Sequence, residues 1–286
     1  MESGTNKNNG VGPAVAQKAK ISIITVVYNG VKYIEESIQS VLNQNYPNLE
    51  YIIIDGGSTD GTQEIIKKYE SNLAYWVSEK DSGIYNAMNK GWKKSSGELI
   101  AILNADDYYL EGALINVATF FDKTKADVIY GNMTKLREIG GKQYFREEFP
   151  NLHKMEESMG VFHPSTFVKR SVYQKLNGYN EAYKLSADYD FFLRAYKQNF
   201  SFQYLNVNTT VFRVGGVSNT NCLSYKEGYK ILVENESEFA PQMKKAIYRC
   251  YIKKTVKRFI RFLLNTFGLR SFLERRIEKN WIIKED

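Results

Sequence analysis

The stretch Ile21 to Tyr28 is a nearly unbroken β-branched run that ends on Asn29-Gly30. A strand with one face in water alternates apolar and polar residues, so an unbroken run fits a strand buried on both faces, as in a parallel sheet covered by helices. Helical spacing follows. Tyr33, Ile34, Ile38, Val41 and Leu42 recur on one face and stop before Pro47, and Leu49 to Ile54 supplies a second apolar strand. The pattern repeats, with Thr62 to Tyr69 helical, Leu73 to Ser78 extended, Gly83 to Lys94 helical and Glu98 to Leu103 a third buried strand. Such alternation predicts an α/β fold, an open sheet flanked by helices with its sites at the carboxyl ends of the strands.

Further along, Tyr130 to Phe149 alternates polar and aromatic residues around Gly140-Gly141, which predicts a hairpin or flap. Val161 to Phe167 reads as a strand and Ser186 to Tyr196 as a helix. Past about Tyr225 the chain reads as helical and increasingly basic. This gives residues 1–19 as a disordered leader, 20–225 as the body and 226–286 as a C-terminal helical extension.

With 43% hydrophobic and 14% aromatic residues, a chain of 286 buries a sizeable core. Its text holds no apolar run of the length, about 18 residues, that a membrane span needs, and Met1 to Lys20 lacks the hydrophobic stretch of a signal peptide. Cys222 and Cys250 have no metal-ligand spacing and form no disulfide framework, which points to a reducing compartment. The net charge of +7 is concentrated. Lys244 to Asp286 carries 13 Lys and Arg against 4 Asp and Glu, while the remainder carries 26 against 28. A near-neutral body argues against nucleic acid as its partner. In the tail, Tyr248, Tyr251, Ile252, Val256, Phe259, Leu263 and Phe267 fall at helical spacing, with Arg249, Lys253, Lys257 and Arg261 on another face. A basic amphipathic helix of this kind lies on an anionic membrane surface, or packs its apolar side on the body or on a second subunit.

Strand ends carry the chemistry. The second strand runs into Asp55-Gly56-Gly57-Ser58-Thr59-Asp60-Gly61-Thr62, where glycines allow close approach to a ligand and a carboxylate can accept from a base or ribose; the same residues also make ordinary turns and caps. The third strand delivers Asn104-Ala105-Asp106-Asp107-Tyr108 to the sheet edge. Adjacent carboxylates repel, and hard cations such as Mg²⁺ or Mn²⁺ take one or two carboxylates plus substrate phosphate oxygens. The alternative is a turn with Asp107 as a helix cap. Ser186-Ala187-Asp188-Tyr189-Asp190 opens a helix whose positive dipole end suits a general base, or whose acids serve as a cap and as an Asp190–Arg194 pair. His163, before Pro164 in an apolar stretch, either lines the site or is a hydrogen-bonded core residue.

Taken in order, these segments resemble family 2 glycosyltransferases of the inverting GT-A fold over roughly Lys20 to Ser218. The resemblance rests on Tyr28-Asn29, the Asp-Gly-Gly-Ser-Thr-Asp-Gly-Thr turn, Asp81-Ser82-Gly83-Ile84-Tyr85-Asn86-Ala87-Met88-Asn89-Lys90-Gly91, the Asn-Ala-Asp-Asp cluster and Ala-Asp-Tyr-Asp before Phe-Phe-Leu-Arg. It implies a nucleotide-sugar-binding mixed sheet, a UDP-sugar donor, Mn²⁺ or Mg²⁺, and a glycan or lipid-linked glycan acceptor. By resemblance, Val26 and Tyr28 floor and stack on the uracil, and Asp55 and Asp81 contact base or ribose. Asp106 and Asp107 form the metal motif, Asp107 as the direct ligand. Asp188 stands at the catalytic base, and His163 and Arg213 border the acceptor or diphosphate. The chain departs from the commonest pattern at Gly56, Asn104 and Ala187, each acidic in many relatives. The implied setting is bacterial surface-polysaccharide or lipopolysaccharide synthesis, in the cytoplasm or peripheral on the inner face of the membrane. A nucleotidyltransferase would place a basic Gly-rich loop where this chain has Tyr28-Asn29-Gly30-Val31-Lys32. An inactive sugar-nucleotide-binding protein would be expected to lose Asp107 or Asp188.

Overall fold

The computed structural model describes residues 18–215, 222–266 and 282–283. β1 (Ile21–Val27) is buried at every position and lies between β2 (Leu49–Asp55) and β4 (Leu99–Asn104), parallel to both. β3 (Tyr75–Ser78) extends the parallel set beyond β2. The crossovers are α1 (Ile34–Leu42), α2 (Thr62–Lys68) and α3 (Ile84–Lys94). Because strand side chains alternate, neighbours in β1 and β2 feed two different cores. Ile21, Ile23, Tyr51 and Ile53 pack with Ile34, Ile38 and Phe121 on one face. Ile24, Val26, Ile52 and Ile54 pack with Met88, Phe191 and Phe192 on the other.

Beyond β4 the sheet turns antiparallel, and so it is mixed as expected. β8 (Thr166–Lys169) pairs with β4 and with β6 (Val128–Ile139), and β6 forms a hairpin with β7 (Lys142–Glu148). Its turn is Gly140-Gly141, at φ 60° and 79°, which glycine adopts without strain. β9 (Phe202–Arg213) runs parallel to β6 with a register shift around Asn132, and its far end pairs with β5 (Tyr108–Tyr109). That pairing returns the chain to the carboxyl end of β4. β10 (Ile282–Ile283) adds to the free edge of β7. α4 (Ala113–Thr124) and α6 (Ala187–Lys197) complete the helical layers around the site.

Three expectations change. Residues 163–165 form a 3-10 turn, and the strand starts only at Thr166, because Pro164 has no N–H to give to a ladder. Burial does not stop at Tyr225: Ile231 and Leu232 of α7 (Leu223–Glu234) share a core with Phe191 and Phe192. Cys222 and Cys250 are bonded to each other, with Cα atoms 6.0 Å apart. Their 28-residue separation looks uninformative in sequence, yet the turn between α7 and α8 (Ala240–Thr266) folds one helix back along the other. The cysteine pair therefore gives no support to a reducing compartment.

On α8, Tyr248, Tyr251, Ile252 and Val256 are all exposed, so the body does not cover this apolar side. Among the described residues no helix is long and apolar enough to cross a membrane. Residues 1–17 of the expected leader and the tail positions from Phe267 to Trp281 lie outside the described residues, while Ala19, at the leader's end, is buried.

Candidate active site

The first shelf of the site is the end of β1 and β2. Tyr28 leaves the strand end 69% exposed, whereas Val26 is buried in the core beneath it. Asn29 sits at φ 51°, and its side-chain oxygen accepts from the Thr59 amide at 2.9 Å while Ser58 Oγ accepts from its own amide at 2.7 Å. The two loops are thus locked together. Gly56 lets Tyr28 and Asp81 close in: a Cβ there would meet Asp81 Oδ2 at 3.2 Å and Tyr28 Cδ2 at 3.4 Å. An exposed ring and a carboxylate therefore flank one glycine, as a planar base and its donor groups require. Asp81 is ion-paired with Lys90 at 2.6 Å.

Asp55 is fully buried and spent internally, accepting from the Ser58 amide at 3.0 Å and from the hydroxyls of Ser58 and Ser78. It builds the turn and offers a ligand nothing. Asp60 likewise accepts from the Thr62 amide and hydroxyl and from the Val31 amide, the capping role open to it in sequence.

The second shelf is the end of β4. Asp107 is buried, Oδ1 accepting from the Arg213 amide at 3.0 Å and Oδ2 from Asn104 Nδ2 at 3.3 Å. Asp106 is half-buried. Burial pushes the Asp106 carboxyl up, and burial together with the Asp106 charge pushes Asp107 well above the usual carboxylate range. Asn104 Oδ1 is buried with no hydrogen-bond partner. Two carboxylates driven toward their neutral forms beside an unsatisfied amide oxygen make an all-oxygen donor set for a hard divalent cation. Among the described residues no group of three or more His, Cys, Asp and Glu gathers as a self-sufficient metal cage. A cation here would complete its shell with substrate oxygens, as Mg²⁺ and Mn²⁺ commonly do.

Arg213 ends β9 against this shelf. Its guanidinium pairs with Glu138 at 2.7 Å and with Glu36, and lies over the ring of Tyr33 at 4.3 Å. The sequence marked Arg213, but not the acids that hold it.

The third group is at the start of α6. Asp188 is half-buried in the first helical turn, and Oδ1 accepts from the Tyr85 hydroxyl at 2.9 Å. The segment leading to it is fixed by Glu227 of α7, which accepts from the amides of Lys184 and Leu185, each at 2.8 Å. Neither Tyr85 nor Glu227 was singled out from sequence, although Tyr85 lies inside a quoted motif. Asp190 pairs with Arg194 at 2.8 Å and is structural. His163 is a core residue: Nε2 meets the Tyr179 hydroxyl at 3.0 Å, and burial pulls its pKa down.

Comparison with known proteins decides the family. The family model "Glycosyl transferase family 2" matches residues 22–199. The chain belongs to glycosyl transferase family 2. As a family 2 member it is a glycosyltransferase, and the match covers every strand-end motif described above up to α6. Relatives include an uncharacterised glycosyltransferase of Rickettsia typhi, 29% identical over 237 residues, 74% of this chain and 70% of that one. A PGL/p-HBAD biosynthesis glycosyltransferase of Mycobacterium bovis is 28% identical, over 70% of this chain and 79% of that one. Among solved structures, S. aureus TarS 1-349 in complex with UDP-GlcNAc superposes with TM-score 0.62 at 22% identity, covering 74% of this chain and 64% of that chain. A mannosyltransferase from Pyrobaculum calidifontis in complex with GDP-Man and Mn²⁺ gives 0.59 at 16% identity, covering 89% and 81%. At these identities the likeness establishes the fold, a mixed sheet flanked by helices of the GT-A type.

Proposed function

We propose that this glycosyltransferase moves a hexose or N-acetylhexosamine from a UDP-sugar to a hydroxyl of a glycan or lipid-linked glycan acceptor, with inversion, in polysaccharide or lipopolysaccharide assembly. The observation that carries the donor reading is the Asp106–Asp107 pair, two carboxylates pushed upward at a sheet edge with an unsatisfied amide oxygen beside them. Family 2 members typically depend on a divalent metal, and a solved relative holds Mn²⁺ with GDP-Man. When bound, Mn²⁺ or Mg²⁺ supplies positive charge against the diphosphate leaving group. Asp107, the direct ligand that the resemblance implies, is buried with both oxygens engaged and backs the site, so Asp106 presents the more open carboxylate for the cation.

The remaining steps belong to side chains. Tyr28 stacks on the uracil and Asp81 accepts from base or ribose. Asp188 takes the proton of the acceptor hydroxyl as that oxygen attacks the anomeric carbon, and the bond from that carbon to the diphosphate breaks as UDP leaves. A single displacement inverts the configuration. Tyr85 holds the carboxylate of Asp188 at a fixed angle. Arg213 reaches the diphosphate by exchanging Glu36 or Glu138 for phosphate oxygens. The exposed apolar side of α8, with its basic neighbours, contacts an anionic membrane surface on the side where nucleotide-sugars are made.

A thermal-shift panel of UDP-glucose, UDP-galactose, UDP-N-acetylglucosamine, UDP-N-acetylgalactosamine, GDP-mannose and dTDP-rhamnose, each with Mn²⁺ or EDTA, tests this reading. Selective, Mn²⁺-dependent stabilisation by a UDP-sugar is expected. Stabilisation by none of them contradicts it.

A further inference from the structure

We infer that the cleft beside Asp188 is a subsite for an apolar aglycone on the acceptor, a hydrocarbon or aryl group attached to the sugar that receives the new linkage. This rests on the reading of Asp188 as the base that faces the acceptor. The cleft has a volume of about 220 Å³, and Asp188 is part of its wall. Met159, Leu185, Tyr189, Tyr225 and Met243 supply most of the rest, together with three serines and Gly228.

What the lining lacks decides the occupant. A sugar ring leaving water needs a partner for each hydroxyl, since an unpaired one loses its hydration without return. Asn, Gln, Arg, Lys and Glu are absent from the lining, and of the hydroxyls there Tyr189 already donates to the Met155 carbonyl and Ser186 to that of Ser224. Two methionines, a leucine and two tyrosine rings instead make an adaptable apolar wall, of the kind that accepts methylene chains and rings. The acceptor sugar stands at Asp188 and what it is attached to runs away from the base along the face of α7 that carries Tyr225 and Gly228.

Gly228 is independent support. It lies inside α7, where glycine weakens a helix and where its backbone is not in the left-handed region. A Cβ there would meet Met243 Cε at 3.5 Å, ordinary contact. The fold therefore does not require glycine at this position, and Gly228 presents bare backbone to the cleft beside Met243. The wall is fastened as well, since the Cys222–Cys250 bond ties the start of α7 to α8, and Glu227 ties α7 to the segment before Asp188.

The test is calorimetric titration of the full chain, loaded with Mn²⁺ and UDP, with methyl and with octyl β-D-glucopyranoside below its micellar concentration. The sugar is common to both, so the comparison reads the aglycone alone. The octyl compound is expected to bind at one site per chain and about tenfold or more tighter, each methylene withdrawn from water being worth about fourfold. Gly228→Leu fills the cleft and Tyr225→Ser strips its exposed wall; each is expected to lose about tenfold for the octyl compound while still binding UDP, which shows that the variant is folded. Ile115→Ser, at an exposed apolar residue of α4, is expected to leave octyl binding as in the wild type. Equal binding of the two glucosides, or octyl binding unchanged in both cleft variants, overturns the inference. Failure of the wild type to bind UDP counts against the donor reading instead, and leaves the octyl–methyl comparison to judge the cleft.

Discussion

Replacing Asp106 by asparagine separates a metal-binding acid pair from a merely structural one. In the cation-free protein, burial pushes both carboxylates toward neutrality and the Asp106 charge pushes Asp107 further, so removing that charge should stabilise the fold. At an effective dielectric of about 20, unit charges about 4 Å apart repel by about 4 kcal/mol. Asp106 is only half-buried and Arg213 lies near it, so the net gain should be nearer about 1 kcal/mol, a rise in Tm of about 2–4 °C for a domain of this size. With Mn²⁺ and UDP the order should reverse. At about 100 times its Kd a ligand adds about 2.7 kcal/mol, or about 5–10 °C, to the wild type, and the variant should lose most of that increment. Differential scanning fluorimetry in EDTA, in Mn²⁺ and in Mn²⁺ plus UDP reads all of this. A variant that melts below the wild type in EDTA, yet keeps the full Mn²⁺-dependent shift with UDP, refutes the reasoning.

Two further predictions concern the scaffold. Burial alone would raise Glu50, but hydrogen bonds from Lys20, Ser22 and Ser96 outweigh it and bring its pKa down to about 2, from the usual 4.5. A depressed folded value means stability present above the unfolded pKa and lost as pH falls from about 4.5 toward 2; the shift corresponds to about 3 kcal/mol, so Glu50→Gln should flatten the acid limb of a Tm-versus-pH curve over that range. Tyr85→Phe removes the hydroxyl that donates to Asp188, an interaction with a charged group worth about 1.5–3 kcal/mol when buried and less at a half-buried carboxylate. About a tenfold fall in kcat at unchanged donor KM is expected in steady-state assays, and a rise in donor KM alone would place Tyr85 in donor binding instead.

The parallel core was legible because β1, β2 and β4 are buried on both faces, which leaves nearly continuous apolar text. Acids that follow such strands stand out for the same reason. What sequence could not tell was which acids remain available. Asp55 and Asp106 both end apolar strands, yet Ser58 and Ser78 consume the first while the second stays open. His163 was open in sequence to a site role as well as the commoner core role, and Tyr179 and Phe192 packed against it make it a core residue. β9 escaped notice because many of its positions face away from the core and half of its residues, Phe202 to Arg213, are polar. The clamp on Arg213 joins it to Glu36 and Glu138, far apart in the chain, and no local pattern signals that. The Cys222–Cys250 bond was hidden in the same way, by a helical turn that only tertiary packing defines.

The central claim, that Asp188 deprotonates the attacking hydroxyl in transfer from a UDP-sugar, is tested most directly by Asp188→Asn. UDP release would be measured with Mn²⁺ and the UDP-sugar that most stabilises the protein, first with water alone and then with a glycoside acceptor. Removing a general base should lower turnover by about 10²–10⁴-fold. Donor binding, read as the Mn²⁺-dependent thermal shift, should stay within the wild-type range. Wild-type turnover by the variant would contradict the account, and so would a loss of turnover that followed a loss of donor binding.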